Sequence, residues 1–376
     1  MTQGTDEANN DASTSFVIPD EKENSWVSFP TLYAYIGPGF LMCIAYLDPG
    51  NLEADLQTGA YTGFHLMWVL LLSHIVGLML QSLASRLSVV TGHHLASIAQ
   101  MNYNKYTSFL LWIMAELAII GSDIQEVLGS AIALQILMGI PLWAGCLITA
   151  LDTFTFLLIH IYGIRKLELL FLMLVAVMTV TFFYNFFEEP PSASELLSGF
   201  IPKIKPRNTV TALALLGAVI MPHNLYLHSA LVLSRRSSQW NKKKIKEAIK
   251  YFTIDSGIAL TIAFLINLCV VGTFAVQFFS EDCSVSSKPT ACLTGSSIDP
   301  EAQIYGTCNG GLGVCQEIGL SFAGNALKGS IGSTSKYIWA LGVLAAGQSS
   351  TMTGTYAGQF VMEGYINLKI SIWKRV

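Results

Sequence analysis

Eight stretches of the chain stay apolar long enough to cross a bilayer, and the polar residues gather in the connections between them. A spanning helix needs roughly 20 predominantly apolar residues. That requirement is met at 32–60, 66–90, 109–138, 142–161, 167–187, 210–233, 252–279 and 337–366. The pattern predicts an all-α integral membrane protein. Two of the eight stretches are interrupted by the same phrase. It reads Ala45-Tyr-Leu-Asp48-Pro49-Gly-Asn51-Leu52 in the first and Ala218-Val-Ile-Met221-Pro222-His-Asn224-Leu225 in the sixth, or A-x-x-X-P-x-N-L. Proline lacks a backbone N–H and clashes with the preceding turn, so each copy is expected to break its helix and free carbonyl groups at membrane depth. Paired breaks in corresponding halves of a chain point to a transporter's binding site.

Composition agrees with the pattern. Hydrophobic residues make up 52% of the 376 and charged residues 12%, far from a soluble domain. Residues 1–31 are polar and acidic and lack a signal peptide's basic start and apolar run, so they are expected to form a disordered cytosolic tail. Residues 32–187 then form a first five-helix unit. Residues 188–376 form a three-helix unit interrupted by a cysteine-containing loop at 280–336. With the N-terminus cytosolic, fifteen of the 21 Lys and Arg residues fall on the cytosolic side, the bias expected of a membrane protein. It peaks between Arg235 and Lys250, a basic stretch read as a solvated cytosolic loop. The acidic or external side then faces the loop, which fits a plasma, vacuolar or endolysosomal membrane. Cys43, Cys146 and Cys269 lie in the spans as packing residues, whereas Cys283, Cys292, Cys308 and Cys315 all fall in the loop. Two disulfides are expected there, and four cysteines allow three pairings.

Ionisable groups at membrane depth cost on the order of 3 kcal/mol each by insertion scales, so each needs an account. Asp48 and Asn51 sit at the first break, where a hard anion and a carboxamide can meet a cation beside released carbonyls such as that of Ala45. The competing account has Asp48 merely capping the following half-helix. Met221 takes the matching position in the second copy, with Ala218 placed as Ala45 is. A thioether suits softer transition-metal ions and disfavours magnesium and calcium. His228 is read as a proton carrier and His223 as a gating or pathway residue, against buried packing roles for either. Glu116, Asp123 and Glu126 fall along one face of the third span with no basic residue in that span to neutralise them, the arrangement of a proton route. Asp55, one repeat beyond Asp48, and Glu53 are read as lining or supporting the outer vestibule. No nucleophile and base pair or cofactor loop marks the polar segments, so neither an enzyme nor a resident cofactor is expected.

At these residues the sequence resembles the natural resistance-associated macrophage protein (NRAMP) family of proton-coupled divalent-metal transporters. The resemblance is carried by D-P-G-N from Asp48 and M-P-H-N from Met221, and extends through G-P-G-F at Gly37, G-S-D-I-Q-E at Gly121, G-x-R-K-L-E at Gly163, H-S-A at His228 and G-V-L-A-A-G-Q-S-S-T at Gly342. It implies a leucine-transporter-type inverted-repeat fold with broken helices 1 and 6. It also implies metal ligation by Asp48, Asn51 and Met221 with the carbonyls of Ala45 and Ala218, and a proton route through Asp48, His228, Glu116, Asp123 and Glu126. The implied activity is symport of manganese or iron, with cadmium and cobalt as further ions, toward the cytosol. Family members have ten to twelve spans, so the second repeat is expected to lack two helices and the chain to be part of a longer transporter. The alternative is a non-transporting membrane sensor or scaffold on the same fold. An amino-acid carrier is disfavoured because Asp48 would repel a substrate carboxylate.

Overall fold

The computed structural model describes residues 28–161, 164–235, 241–284, 290–293, 305–308 and 311–366. The predicted tail, at 1–27, lies outside the described residues. The first predicted span is three pieces, α1 (Phe29–Tyr35), α2 (Pro38–Ala45) and α3 (Pro49–Thr62). The next elements are α4 (Met67–Thr91), a short α5 (Leu95–Asn102), α6 (Lys105–Met138), α7 (Leu142–Ile161), α8 (Ile164–Glu188) and a short α9 (Ala193–Ser198). The sixth span is two pieces, α10 (Thr209–Val219) and α11 (Pro222–Leu233), and α12 (Lys242–Phe278), α13 (Glu281–Ser284), α14 (Leu320–Ser330) and α15 (Ser333–Ile366) complete the helices. By length and composition, four stretches among the described residues could cross a membrane: Met67–Thr91, Lys105–Met138, Pro206–Leu233 and Lys242–Phe278.

Both proline phrases break their helices where the sequence places them. Pro49 and Pro222 each occupy the first helical position of the following half-helix, where a missing N–H costs nothing. Asp48 and Met221 precede them in extended conformation. A further break not anticipated from sequence lies at Gly37, whose φ of 146° admits only glycine comfortably and lets α2 start at Pro38. The exposed N-terminal turn of α2 is satisfied from far away in sequence: Gly39 N donates to Asp255 Oδ2 of α12 at 2.7 Å. Asp255, given no role from sequence, is therefore a cap supplied across the bundle.

The main core joins α2, α3, α4, α8, α12, α14 and α15 around Leu47, Leu56, Phe182, Phe274 and Trp339. Gly59 lets α3 lie directly on the backbone of α12, since a Cβ there would collide with the Val271 carbonyl. A carbonyl cannot swing aside as a side chain can, so this contact fixes the height of α3 against α12. Large apolar side chains such as Leu110, Leu117 and Ile124 of α6 and Leu147 of α7 are exposed, the reverse of a water-soluble surface and suited to lipid contact.

The cysteine loop adds a small antiparallel sheet to an otherwise helical molecule, in strand order β1 (Ala291–Leu293), β3 (Gly311–Gln316), β2 (Tyr305–Cys308). Cys292 faces Cys315 in the β1–β3 register. Among the pairings left open by sequence, Cys283 bonds Cys315, and Cys292 is also disulfide-bonded. The Cys308 side chain lies outside those described. Cys43, Cys146 and Cys269 are free thiols.

Candidate metal site

The end of α2 and the start of α3 bring the first phrase to a point. Asp48 caps α3, accepting the Asn51 backbone N–H at 2.7 Å through Oδ1. Its second oxygen, Oδ2, is buried without a hydrogen-bond partner among the described residues, as is Oδ1 of Asn51. Both side chains are 1% exposed. One Asp48 oxygen thus caps the helix, as the competing account from sequence has it, while the other makes no hydrogen bond among the described residues. Buried unpaired oxygens are costly, and both lie at the same helix break.

The Ala45 carbonyl, expected to be free, accepts two carboxamides: Asn51 Nδ2 donates at 3.5 Å and Asn224 Nδ2 at 3.4 Å. Asn224 comes from α11, so one carbonyl links the two breaks across 179 residues. Sequence reasoning passed over Asn224, although its place as counterpart of Asn51 in the repeated phrase was the available signal. Both bonds are long for an amide donor.

Met221 lacks a side-chain cap on α11 and lines a cavity of about 440 Å³ together with Ala218, Glu53, Gln57, Ser122 and Gln125. The walls are α3, α6 and the α10–α11 break. Met221 thus borders the same cavity as Gly50, Glu53, Ala54 and Gln57 of α3, whereas Asp48 and Asn51 are not among its lining residues. His223 also lines this cavity, whereas His228 is fully buried, its Nε2 3.5 Å from Ser256 Oγ of α12. The structure thus separates the two histidines, one toward the cavity and one into the bundle.

The three carboxylates of α6 do not share one environment. Glu126 is buried, accepts from Ser122 Oγ at 3.1 Å, and has Asp123 and Asp48 as its electrostatic neighbours. Gly354 of α15 packs so closely on Asp123 that any side chain there would strike its carboxylate. Glu116 is half-buried two turns away and accepts from Trp112 Nε1 at 3.2 Å. Asp123 and Glu126 thus form a pair near Asp48, and Glu116 stands apart from it.

Glu53 lines the cavity, and also holds the start of α14 after the cysteine loop: its Oε2 accepts Leu320 N at 2.6 Å and its Oε1 accepts Gln57 Nε2 at 2.6 Å. Tyr61, two turns further, donates to the Ile318 carbonyl at 2.9 Å and accepts Ile318 N at 3.1 Å. Asp55 does not line the cavity; it faces the helix bundle.

Among the described residues, no cluster of three or more His, Cys, Asp or Glu is placed to hold a metal. The candidate set here is of another kind, one carboxylate, one carboxamide, one thioether and carbonyls, of which only Asp48 belongs to those types. One charged ligand among weak neutral ones suits an ion that must leave again.

Residues 39–376 match the family model described as natural resistance-associated macrophage protein-like. Curated relatives include the mouse protein named natural resistance-associated macrophage protein 2, 51% identical over 365 residues. Another is a metal transporter named as an nramp1 homolog from Dictyostelium discoideum, 50% identical over 360 residues. These matches cover 96% and 95% of this chain but 63% and 61% of the relatives, so the chain spans about three fifths of their length. Among solved structures, a manganese transporter of Eremococcus coleocola, in complex with an aromatic bis-isothiourea compound, superposes with a TM-score of 0.76 at 30% identity. That match covers 97% of this chain and 72% of the other.

Proposed function

We propose a function from one premise: the chain belongs to the natural resistance-associated macrophage protein family, whose fold it shares. It holds a divalent transition-metal ion between the two helix breaks and moves that ion across a membrane. Asp48 Oδ2 and Asn51 Oδ1 are the hard ligands and Met221 is the soft one. The carbonyls of Ala45 and Ala218, at the C-terminal ends of α2 and α10, carry the partial negative charge of those helix ends and favour a cation. The observation that supports this reading most is the pair of buried, unpartnered oxygens on Asp48 and Asn51 at a break whose mate presents Met221.

Manganese and ferrous ions fit this mixed set, with cadmium and cobalt as further cargo, because a thioether adds little to the binding of calcium or magnesium. Protons supply the driving force. Glu126 and Asp123 take part in the proton route nearest the site, with His228 in the bundle and His223 and Glu116 further along it. Movement runs from the cysteine-loop side toward the basic side, with the N-terminus cytosolic, in a plasma, vacuolar or endolysosomal membrane. The two units, 32–187 and 188–376, act as repeats that move against each other around the site.

Manganese uptake into cells expressing the chain, at acidic and neutral external pH, tests this reading. Acid-stimulated uptake is expected. In Glu126→Gln the stimulation by acid is expected to be abolished while manganese binding to the purified protein weakens by no more than the roughly tenfold to hundredfold that loss of a neighbouring charge accounts for, well short of the loss expected for a ligand. Equal loss of binding and pH response would remove Glu126 from the proton route, and uptake blind to pH would remove the coupling altogether.

A further inference from the structure

The half-helix α3 carries a second row of polar side chains besides the one facing the cavity. Asp48, Asn51, Asp55, Thr58 and Thr62 recur at intervals of three and four and so share one face. All five are buried. Gly50, Glu53, Ala54 and Gln57 face the cavity from a different side of the helix. Asp55 is the anomaly in the buried row. It is 0% exposed, and neither of its carboxyl oxygens has a hydrogen-bond partner among the described residues. The adjacent Thr58 hydroxyl is also unpartnered.

Among the described residues, no basic side chain is paired with Asp55. On its own helix the nearest carboxylate of the row is Asp48, and Glu53 is engaged with Leu320 and Gln57. Helix α10 and the part of α12 at 256–278 contain no Asp, Glu, Lys or Arg, and contribute instead Asn267, whose Oδ1 is itself unpartnered. From α6 come only the acidic Asp123 and Glu126. The charges at the loop end, Glu281 of α13, Glu317 ahead of α14 and Lys328 of α14, are exposed, and Lys336 in the first turn of α15 lies beside Gly324 of α14. β1 has no charged residue.

Resting on the metal-binding reading above, we propose that Asp55 is a proton-binding carboxyl that sets the metal affinity of the Asp48 site without touching the metal. Asp55 is fully buried and stands away from both helix breaks, where the candidate ligands gather; a proton, unlike a metal ion, needs no coordination shell. Seven residues of helix put it about 10 Å outward of Asp48 along the axis. Across a poorly screened interior, a carboxylate at that range attracts a divalent ion strongly, and its protonation removes the attraction. By reciprocity, metal arrival favours proton release from Asp55 and proton uptake favours metal release. Its role is positioning of charge, and Asp48 remains the ligand.

The test is calorimetric titration of Mn²⁺ into the purified chain in nanodiscs at acidic and neutral pH. Asp55→Asn is nearly isosteric and fixes the neutral form. It is expected to weaken Mn²⁺ binding at neutral pH roughly tenfold to a hundredfold and to flatten the pH dependence. Asp55→Glu, which keeps the charge, is expected to stay within about threefold of the unmutated chain with the pH dependence intact. Asp55→Asn with unchanged affinity and unchanged pH dependence would overturn the proposal. Should that variant fail to fold, Asp55→Ser decides between the same two outcomes. No Mn²⁺ binding by the unmutated chain would instead overturn the metal reading itself, and this inference with it.

Discussion

Asp48→Asn is expected to lower Mn²⁺ affinity by roughly a thousandfold or more while leaving the fold in place. The substitution separates the two roles of the side chain. Asparagine caps helices about as well as aspartate, so the bond from Asn51 N to position 48 survives and α3 still starts at Pro49. What disappears is the one formal charge among the candidate ligands. A unit charge about 4 Å from another is worth about 4 kcal/mol at an effective dielectric near 20, and a divalent ion doubles it. Each 1.4 kcal/mol is tenfold in affinity, so even half of that interaction exceeds a hundredfold. Calorimetry of the variant beside the unmutated chain reads the effect directly. A loss under tenfold in a folded protein would mean that the ion is held elsewhere.

Met221→Ala is expected to alter preference more than strength. The thioether contributes little to calcium or magnesium and more to manganese, cadmium and cobalt. Its removal should therefore narrow the ratio of Cd²⁺ to Ca²⁺ affinity by on the order of tenfold, mostly by weakening cadmium. The void left by truncation opens into the existing cavity rather than into the packed core, so little stability should be lost with it. Competition of Ca²⁺ against Cd²⁺ on the purified chain measures the ratio, and an unchanged ratio would take Met221 out of the ligand set.

The features legible in the sequence were those with local causes. Proline dictates where α2 and α10 stop, so both breaks could be placed to the residue from A-x-x-X-P-x-N-L alone. The N-capping by Asp48 is likewise a matter of three residues. What stayed hidden depends on partners far off in the chain: Asn224 reaching the Ala45 carbonyl across 179 residues, Asp255 capping α2 across 216, and Glu53 and Tyr61 holding the loop ahead of α14. Periodicity put Glu116, Asp123 and Glu126 on one face, but it could not say that α15 covers only part of that face, leaving Glu116 with Trp112. Asp55 shows the same limit. Its place one repeat beyond Asp48 was plain, and read as vestibule, whereas the close seating of α3 on α12 at Gly59 belongs to tertiary packing and buries it.

The ties between α3 and the loop have a mechanical consequence. Glu53 and Tyr61 fasten the half-helix to the segment at 318–320, and the disulfide from Cys283 to Cys315 fastens that segment to the chain just beyond α12. Any outward swing of α3 must carry this segment with it or break those bonds. The cavity beside Met221 is thus bounded by a wall whose position is set from the loop.

The most direct test of a metal site between the two breaks is an anomalous difference map from crystals of the chain grown with Mn²⁺. The account predicts one peak lying between the Asp48 carboxylate and the Met221 sulfur, lost in Asp48→Asn. A peak within the α6 carboxylates or in the cysteine loop, with none between the breaks, would contradict it.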